Sequence, residues 1–146
     1  MIPMAQIRID KTDFDQERDA IYAIRKKVFV VEQSVPEEIE IDAHDPVAQH
    51  VLAYVDGHAV GTGRVTGDGR IGRMAVLAEY RGRGVGRAIL DALIDIGSAG
   101  GVPRLYLSAQ CHAIPFYEKA GFVADGPVYD EAGIDHRRME LAPRRG

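Results

Sequence analysis

Along the chain, hydrophobic and polar positions switch between two periods. Ile7 and Ile9 alternate with polar neighbours, the period-two pattern of a half-buried strand. Within residues 16–32, Ile21, Ile24, Val28 and Val31 recur at helical spacing and define one apolar face, with Asp15 placed to cap the helix. Residues 33–46 contain two prolines and several acids without periodicity and read as a loop with room for a short helical turn. Residues 49–55 and 59–65 read as strands joined by Asp56-Gly57, a dipeptide that favours a tight hairpin turn. Gly67-Asp68-Gly69 turns the chain into a further strand at 71–76. In the helix that follows, Ile89, Leu90, Leu93 and Ile94 face inward and Asp91 and Asp95 outward, and Gly100-Gly101 ends it.

Leu105 and Leu107 belong to the next strand, residues 114–120 to a short helix, and Gly121 suits its C-terminal cap. Residues 122–129 and 136–141 surround a turn at Glu131-Ala132-Gly133 and are expected to pair as a hairpin. The order is β-α-β-β-β-α-β-α-β-β, an α/β (α+β) fold with a mixed, mostly antiparallel sheet of six to seven strands flanked by helices.

Composition narrows the class. A chain of 146 residues, 46% of them hydrophobic, is expected to form one domain, residues 1–146, around one packed core. No apolar run approaches the roughly 18 residues of a membrane span, and residues 1–6 have neither a basic nor an apolar leader region, so a cytoplasmic protein is expected. One cysteine, Cys111, excludes an internal disulfide framework and a cysteine-built zinc site. A net charge of −4 with both signs interspersed argues against a nucleic-acid-binding surface.

The candidate chemistry centres on Arg81-Gly82-Arg83-Gly84-Val85-Gly86, between a strand and the start of a helix. Backbone N–H groups and the positive end of the helix dipole converge at such a turn, which suits a diphosphate. A nucleotide-hydrolase loop would need Lys and then Ser or Thr after its glycines, and neither is present. A dinucleotide fingerprint fails too: counted from Gly82 its third glycine position holds Arg87, and counted from Gly84 it holds Ile89.

What remains, Arg-x-x-Gly-x-Gly at Arg81, Gly84 and Gly86, resembles the coenzyme A turn of the GNAT superfamily of acyl-CoA-dependent N-acetyltransferases. Downstream, Phe116-Tyr117 with Gly121-Phe122 resembles that family's Phe-Tyr-x-x-x-Gly-Phe segment, with room between the motifs for one helix and one strand. Arg25, Val28, Phe29, Glu32 and Gln33 resemble an Arg-x-x-Val-Phe-x-x-Glu-Gln motif of a small bacterial branch of N-acetyltransferases.

The resemblance implies a GNAT-like acyl-CoA N-acyltransferase fold, with acetyl-CoA as cosubstrate, no metal, and a small-molecule or peptide amine as acceptor. It implies that the backbone of Met74, Ala75 and Val76 pairs with the pantetheine arm and that Arg81, Gly82, Arg83, Gly84, Val85, Gly86 and Arg87 surround the diphosphate. Phe116 lies beside them, and Gln110 stands near a position where the family often uses Asn toward the cofactor. Tyr117 matches the family's general acid; a phenol of pKa about 10 can donate to a departing thiolate.

The amine must lose a proton before it attacks, and Glu32, Asp42, His44, Asp45 and His136 are candidate bases, with Glu32 and His136 nearest the implied acceptor end. Glu37, Glu38 and Glu40 add to a dense acidic segment that would steer a cationic amine. Asp42, His44 and Asp45, close neighbours in sequence, rarely converge on one metal ion without a fourth ligand from elsewhere, and Cys111 reads as a small buried thiol. Two functions stay open: an N-acetyltransferase, and a non-catalytic acyl-CoA-binding sensor. The chain is compatible with a homodimer.

Overall fold

A computed structural model describes residues 6–36 and 42–144. The strands form two sheets. β1 (Ile7–Thr12), β2 (Gln49–Val55), β3 (His58–Val65) and β4 (Ile71–Val76) make an antiparallel sheet in that order. β5 (Leu105–Gln110), β6 (Val123–Glu131) and β7 (Ile134–Leu141) make a second, in the order β5-β7-β6. Among the described residues the sheets meet at a single parallel bridge between Arg70 and Tyr106, where the Tyr106 N–H donates to Gly69 O at 3.0 Å. Past it β4 and β5 diverge, so neither has a strand partner on the side that faces the other.

Helices cover both faces of the first sheet. Alternation along β2 sends Leu52 toward α1 (Phe14–Arg25), where it packs with Phe14, Ile21, Ile24 and Val28. Val51 and Ala53 point the other way, into the core under α2 (Val85–Ala99). In α2, Ile89, Leu90, Leu93 and Ile94 are fully buried, each contributing about 1.5–3 kcal/mol of transfer free energy. The helix reaches the sheet closely because β3 carries Gly61 and Gly63 beneath it; a Cβ on Gly63 would stand 2.8 Å from Leu93 Cδ1 and 2.9 Å from Ile89 Cγ2. Among the described residues no helix is long and apolar enough to cross a membrane.

The element order and seven strands match the sequence pattern, with three local differences. Asp13, not Asp15, caps α1, accepting from the Asp15 and Gln16 amides at 2.8 and 3.2 Å. The expected single helix changes its winding: Lys26–Glu32 is π-helical, and Gln33 N–H reaches back five residues to Val28 O. The wider turn rotates Val31 off the apolar face, leaving it 69% exposed. The third lies in β6 and β7, which extend closer to their turn than the pattern suggested, to Glu131 and Ile134. Glu37, Glu38 and Glu40 lie outside the described residues.

Candidate active site

The divergence of β4 and β5 opens a groove of about 570 Å³, with the start of α2 beyond the C-terminal end of β4. Crevices at the carboxyl ends of neighbouring parallel strands are where α/β sheets bind ligands, because the strand ends leave backbone groups and loops facing one opening.

At the α2 end the geometry belongs to the backbone. Gly84 is the N-cap at φ 86° and no side chain caps the helix, so its first amides lack an internal acceptor. Gly82 is also left-handed at φ 78°, and a Cβ on either glycine would meet nothing within 4 Å. This is an open, glycine-walled helix terminus with no acid in its first turn, as an anionic diphosphate requires.

The nearby arginines are held. Arg87 Nε bonds Asp91 at 3.2 Å, and the Arg83 guanidinium lies 5.4 Å from the Tyr80 ring centroid. Arg81 donates to Val76 O at 2.9 Å and grips Glu32 with both terminal nitrogens, at 2.9 and 3.0 Å. Phe116 packs its ring against Gly86.

The strand next to this end is bent toward the groove. Thr62 pairs with Ala75 but Arg64 with Gly72, so Arg73 and Met74 together oppose Gly63 in a β-bulge, with Arg73 at φ 47°. Both side chains line the groove. Ala75 is buried against α1.

On the opposite wall stand Gln110 and His136, which face one another in the β5–β7 register, and Tyr117 from α3 (Ile114–Glu118). Burial pushes the Tyr117 phenol up to about 12, so it stays protonated at physiological pH. The Gln110 amide donates to Gln33 Oε1 at 2.9 Å, so this side chain ties β5 to the end of the first helix. Glu32, by contrast, faces Arg81 and does not line the groove.

An ion network that the sequence does not reveal runs from the β3–β4 wall of the groove into the interior. Arg25 grips Asp45 with two bonds of 2.8 and 3.1 Å, and Arg64 Nη1 lies 2.7 Å from both Asp45 Oδ1 and Asp42 Oδ1. Arg73 reaches Asp42 at 3.2 Å, and His50 Nε2 donates to Asp45 O at 2.8 Å. Asp45, Arg25 and His50 are at most 1% exposed.

The Arg64 hydrogen bond, helped by the charges of Arg64 and Arg73, holds the Asp42 carboxyl well below the usual carboxylate range against the opposing pull of burial. Burial alone would raise Asp45, but bonds from Arg25 and the Asp42 amide and the two guanidinium charges override it and lower it. Carboxylates so tightly paired are poor proton acceptors, which removes both from the base candidates. His44 lines the groove and spends its backbone N–H on Asp42. Among the described residues no three His, Cys, Asp or Glu side chains converge as a metal would need.

The matches to known proteins agree with this architecture. The family model described as "Acetyltransferase (GNAT) domain" matches residues 11–143. A Bacillus subtilis protein named as the uncharacterized N-acetyltransferase YjcF is 40% identical over 86% of this chain and 91% of its own length. A crystal structure titled as an acyl-CoA N-acyltransferase from Pseudomonas aeruginosa superposes with a TM-score of 0.83 at 30% identity, covering 94% of this chain and all of the other. Escherichia coli ElaA superposes with a TM-score of 0.82 at 28% identity over 92% of this chain and 99% of its own. A split sheet, a glycine-walled helix terminus and relatives matched nearly end to end make this chain a member of the GNAT family of N-acetyltransferases, and so an acyltransferase.

Proposed function

We propose that the protein transfers an acetyl group from acetyl-CoA to a primary amine by direct attack of the amine on the thioester, with Tyr117 as acid and His136 as base. The observation that carries this reading is the groove between β4 and β5, lined by Met74, Tyr117 and His136, together with the uncapped α2 terminus that follows the C-terminal end of β4. Backbone amides of Gly84, Val85, Gly86 and Arg87 would hold the diphosphate, and the unpaired edge of β4 at Met74, Ala75 and Val76 would take the pantetheine arm. Glu32 serves this end by anchoring Arg81.

Tyr117 meets the sulfur as the C–S bond breaks. Its phenol, near 12, lies above a thiol of about 8.5, so complete proton transfer runs uphill. The useful work is a hydrogen bond that becomes charge-assisted as the thiolate forms, which lowers the barrier without first ionising the phenol. His136 is the base because it lines the groove on the same wall as Tyr117, whereas His44 lies beside Asp42, Asp42 and Asp45 are locked to arginines, and Glu32 is locked to Arg81.

The test is free-thiol release from acetyl-CoA with polyamines, amino sugars, amino acids, aminoglycosides and lysine peptides. Turnover on one class supports the reading; tight cofactor binding with no turnover on any supports an acyl-CoA sensor instead. With the active amine, Tyr117→Phe is expected to lower kcat about a hundredfold while the Kd for acetyl-CoA stays near wild type. An unchanged kcat would remove Tyr117 from the chemistry.

A further inference from the structure

The two walls of the groove differ in what they offer a ligand. On the β3–β4 side Arg64, Arg70 and Arg73 line it, with Asp42 between two of them. The facing wall, from β5 and the β6–β7 hairpin, presents Ser108, Glu131 and His136. Ser108 Oγ lies 3.3 Å from Glu131 Oε2 and also bonds the Tyr129 hydroxyl, and Tyr129 stacks on the His136 ring at 6.1 Å.

The His136 tautomer follows from its partner. Nδ1 is 2.7 Å from Ile134 O, and because a carbonyl only accepts, Nδ1 carries the hydrogen. In the neutral ring Nε2 therefore holds a lone pair, and it stands 3.5 Å from Glu131 Oε2. In that tautomer two hydrogen-bond acceptors face one another, the carboxylate oxygen also accepting from the Ser108 hydroxyl. A ligand with several N–H groups on one atom satisfies both, and its positive charge is matched by the carboxylate.

The hairpin is built to hold this pair. Ala132 and Gly133 have φ of 54° and 79°, the two left-handed residues of a tight hairpin turn, and an alanine there carries backbone strain. The turn sets Glu131 opposite Ile134, whose carbonyl orients His136. The His136 side chain is 9% exposed while that of Glu131 is 49% exposed, so the carboxylate is open to an incoming ligand and the ring sits behind it.

We propose that Glu131, with Ser108 and His136, is the seat of the acceptor's primary ammonium group, an inference that rests on the acetyl-transfer reading above. The ammonium docks with N–H groups on Glu131 Oε2 and His136 Nε2. One N–H bond then breaks and an Nε2–H bond forms, leaving a neutral amine lone pair to attack and an imidazolium whose charge Glu131 offsets. The arginines of the opposite wall repel the same cation and fix its position on this side. The acceptor class is an unhindered primary amine that arrives protonated; a quaternary ammonium has no N–H to give.

The experiment follows the His136 ring signals by NMR while n-butylammonium chloride is added to the whole protein, with tetramethylammonium chloride at equal ionic strength as control. Saturable shifts with butylammonium alone, weakened about fivefold in Glu131→Gln, are expected. Equal responses to both cations, no saturation, or an affinity untouched by Glu131→Gln would overturn the site. In turnover, Glu131→Gln should raise KM for the amine with kcat little changed, whereas His136→Gln should lower kcat. Because the titration needs no turnover, thiol release without a Glu131-dependent response sinks this inference alone. A Glu131-dependent response without thiol release from any amine sinks the acetyl-transfer reading and leaves an ammonium site.

Discussion

Gly84→Val is expected to fold and to lose about a hundredfold or more in affinity for acetyl-CoA. Gly84 sits at φ 86°, a backbone region that a β-branched residue enters only with strain, and it is the residue from which α2 begins. Its Cβ position is open space, so the valine meets no neighbouring side chain and instead fills the ground above the helix amides. Charge-assisted hydrogen bonds are worth about 1.5–3 kcal/mol each, and losing two of them gives the stated factor. Two controls make the result specific. Gly86→Ala places a methyl 3.5 Å from the Phe116 ring and 3.9 Å from Val76 Cγ2, an ordinary contact, and should bind nearly as wild type. S-acetylpantetheine, which has no diphosphate, should distinguish wild type from Gly84→Val far less than acetyl-CoA does. An equal loss with both donors in calorimetry or turnover would place the defect elsewhere than in diphosphate binding.

Asp45→Asn is expected to cost about 3–5 kcal/mol of stability, lowering Tm on the order of 10 °C, because it removes the carboxylate charge that buried Arg25 grips with two bonds and that Arg64 shares between Asp45 and Asp42. Arg25 is 1% exposed and Arg64 6%, and Asp45 itself is fully buried. The loss should depend on pH with a definite sign. Asp42 and Asp45 titrate below their unfolded values, so their contribution is fully present above about pH 4 and drains away as pH falls through the lower folded values. The gap between wild type and Asp45→Asn should therefore narrow below pH 4. Burial chiefly lowers His50, against the pull of the Asp45 contacts, so stability should begin to fall earlier, below about pH 6.5, as the unfolded chain takes up that proton. Denaturant unfolding of both proteins from pH 3 to pH 8 tests this; a constant gap across that range would contradict it.

How much was legible beforehand depended on the range of the interaction. The strand and helix order came from local periodicity, and the glycine turn from three positions whose geometry is set within a few residues. Asp13 and Asp15 are both capping residues, and only the start of α1 distinguishes them. The winding change at Lys26–Glu32 leaves no mark in a hydrophobic pattern, which therefore places Val31 on a face it does not occupy. The pairing of Arg25 with Asp45 joins residues twenty apart, and that of Arg81 with Glu32 forty-nine apart; periodicity carries no information over those distances. In the sequence Arg25 is only a motif position, and its buried place next to Asp45 supplies the physical reason for the charge. In the sequence Glu131 is a turn residue, since its relation to His136 exists only once β6 and β7 are paired.

The single bridge at Arg70 and Tyr106 has a consequence for how such a chain can change. In the proposed reaction one sheet and the head of α2 would serve the acyl donor chiefly through main-chain atoms, which nearly any sequence supplies, while the other sheet would meet the acceptor through side chains on the β6–β7 hairpin. Substitutions on β5, β6 and β7 can therefore redraw acceptor preference without disturbing the donor side. A duplicated copy could drift to a new amine while the old thioester chemistry stays intact.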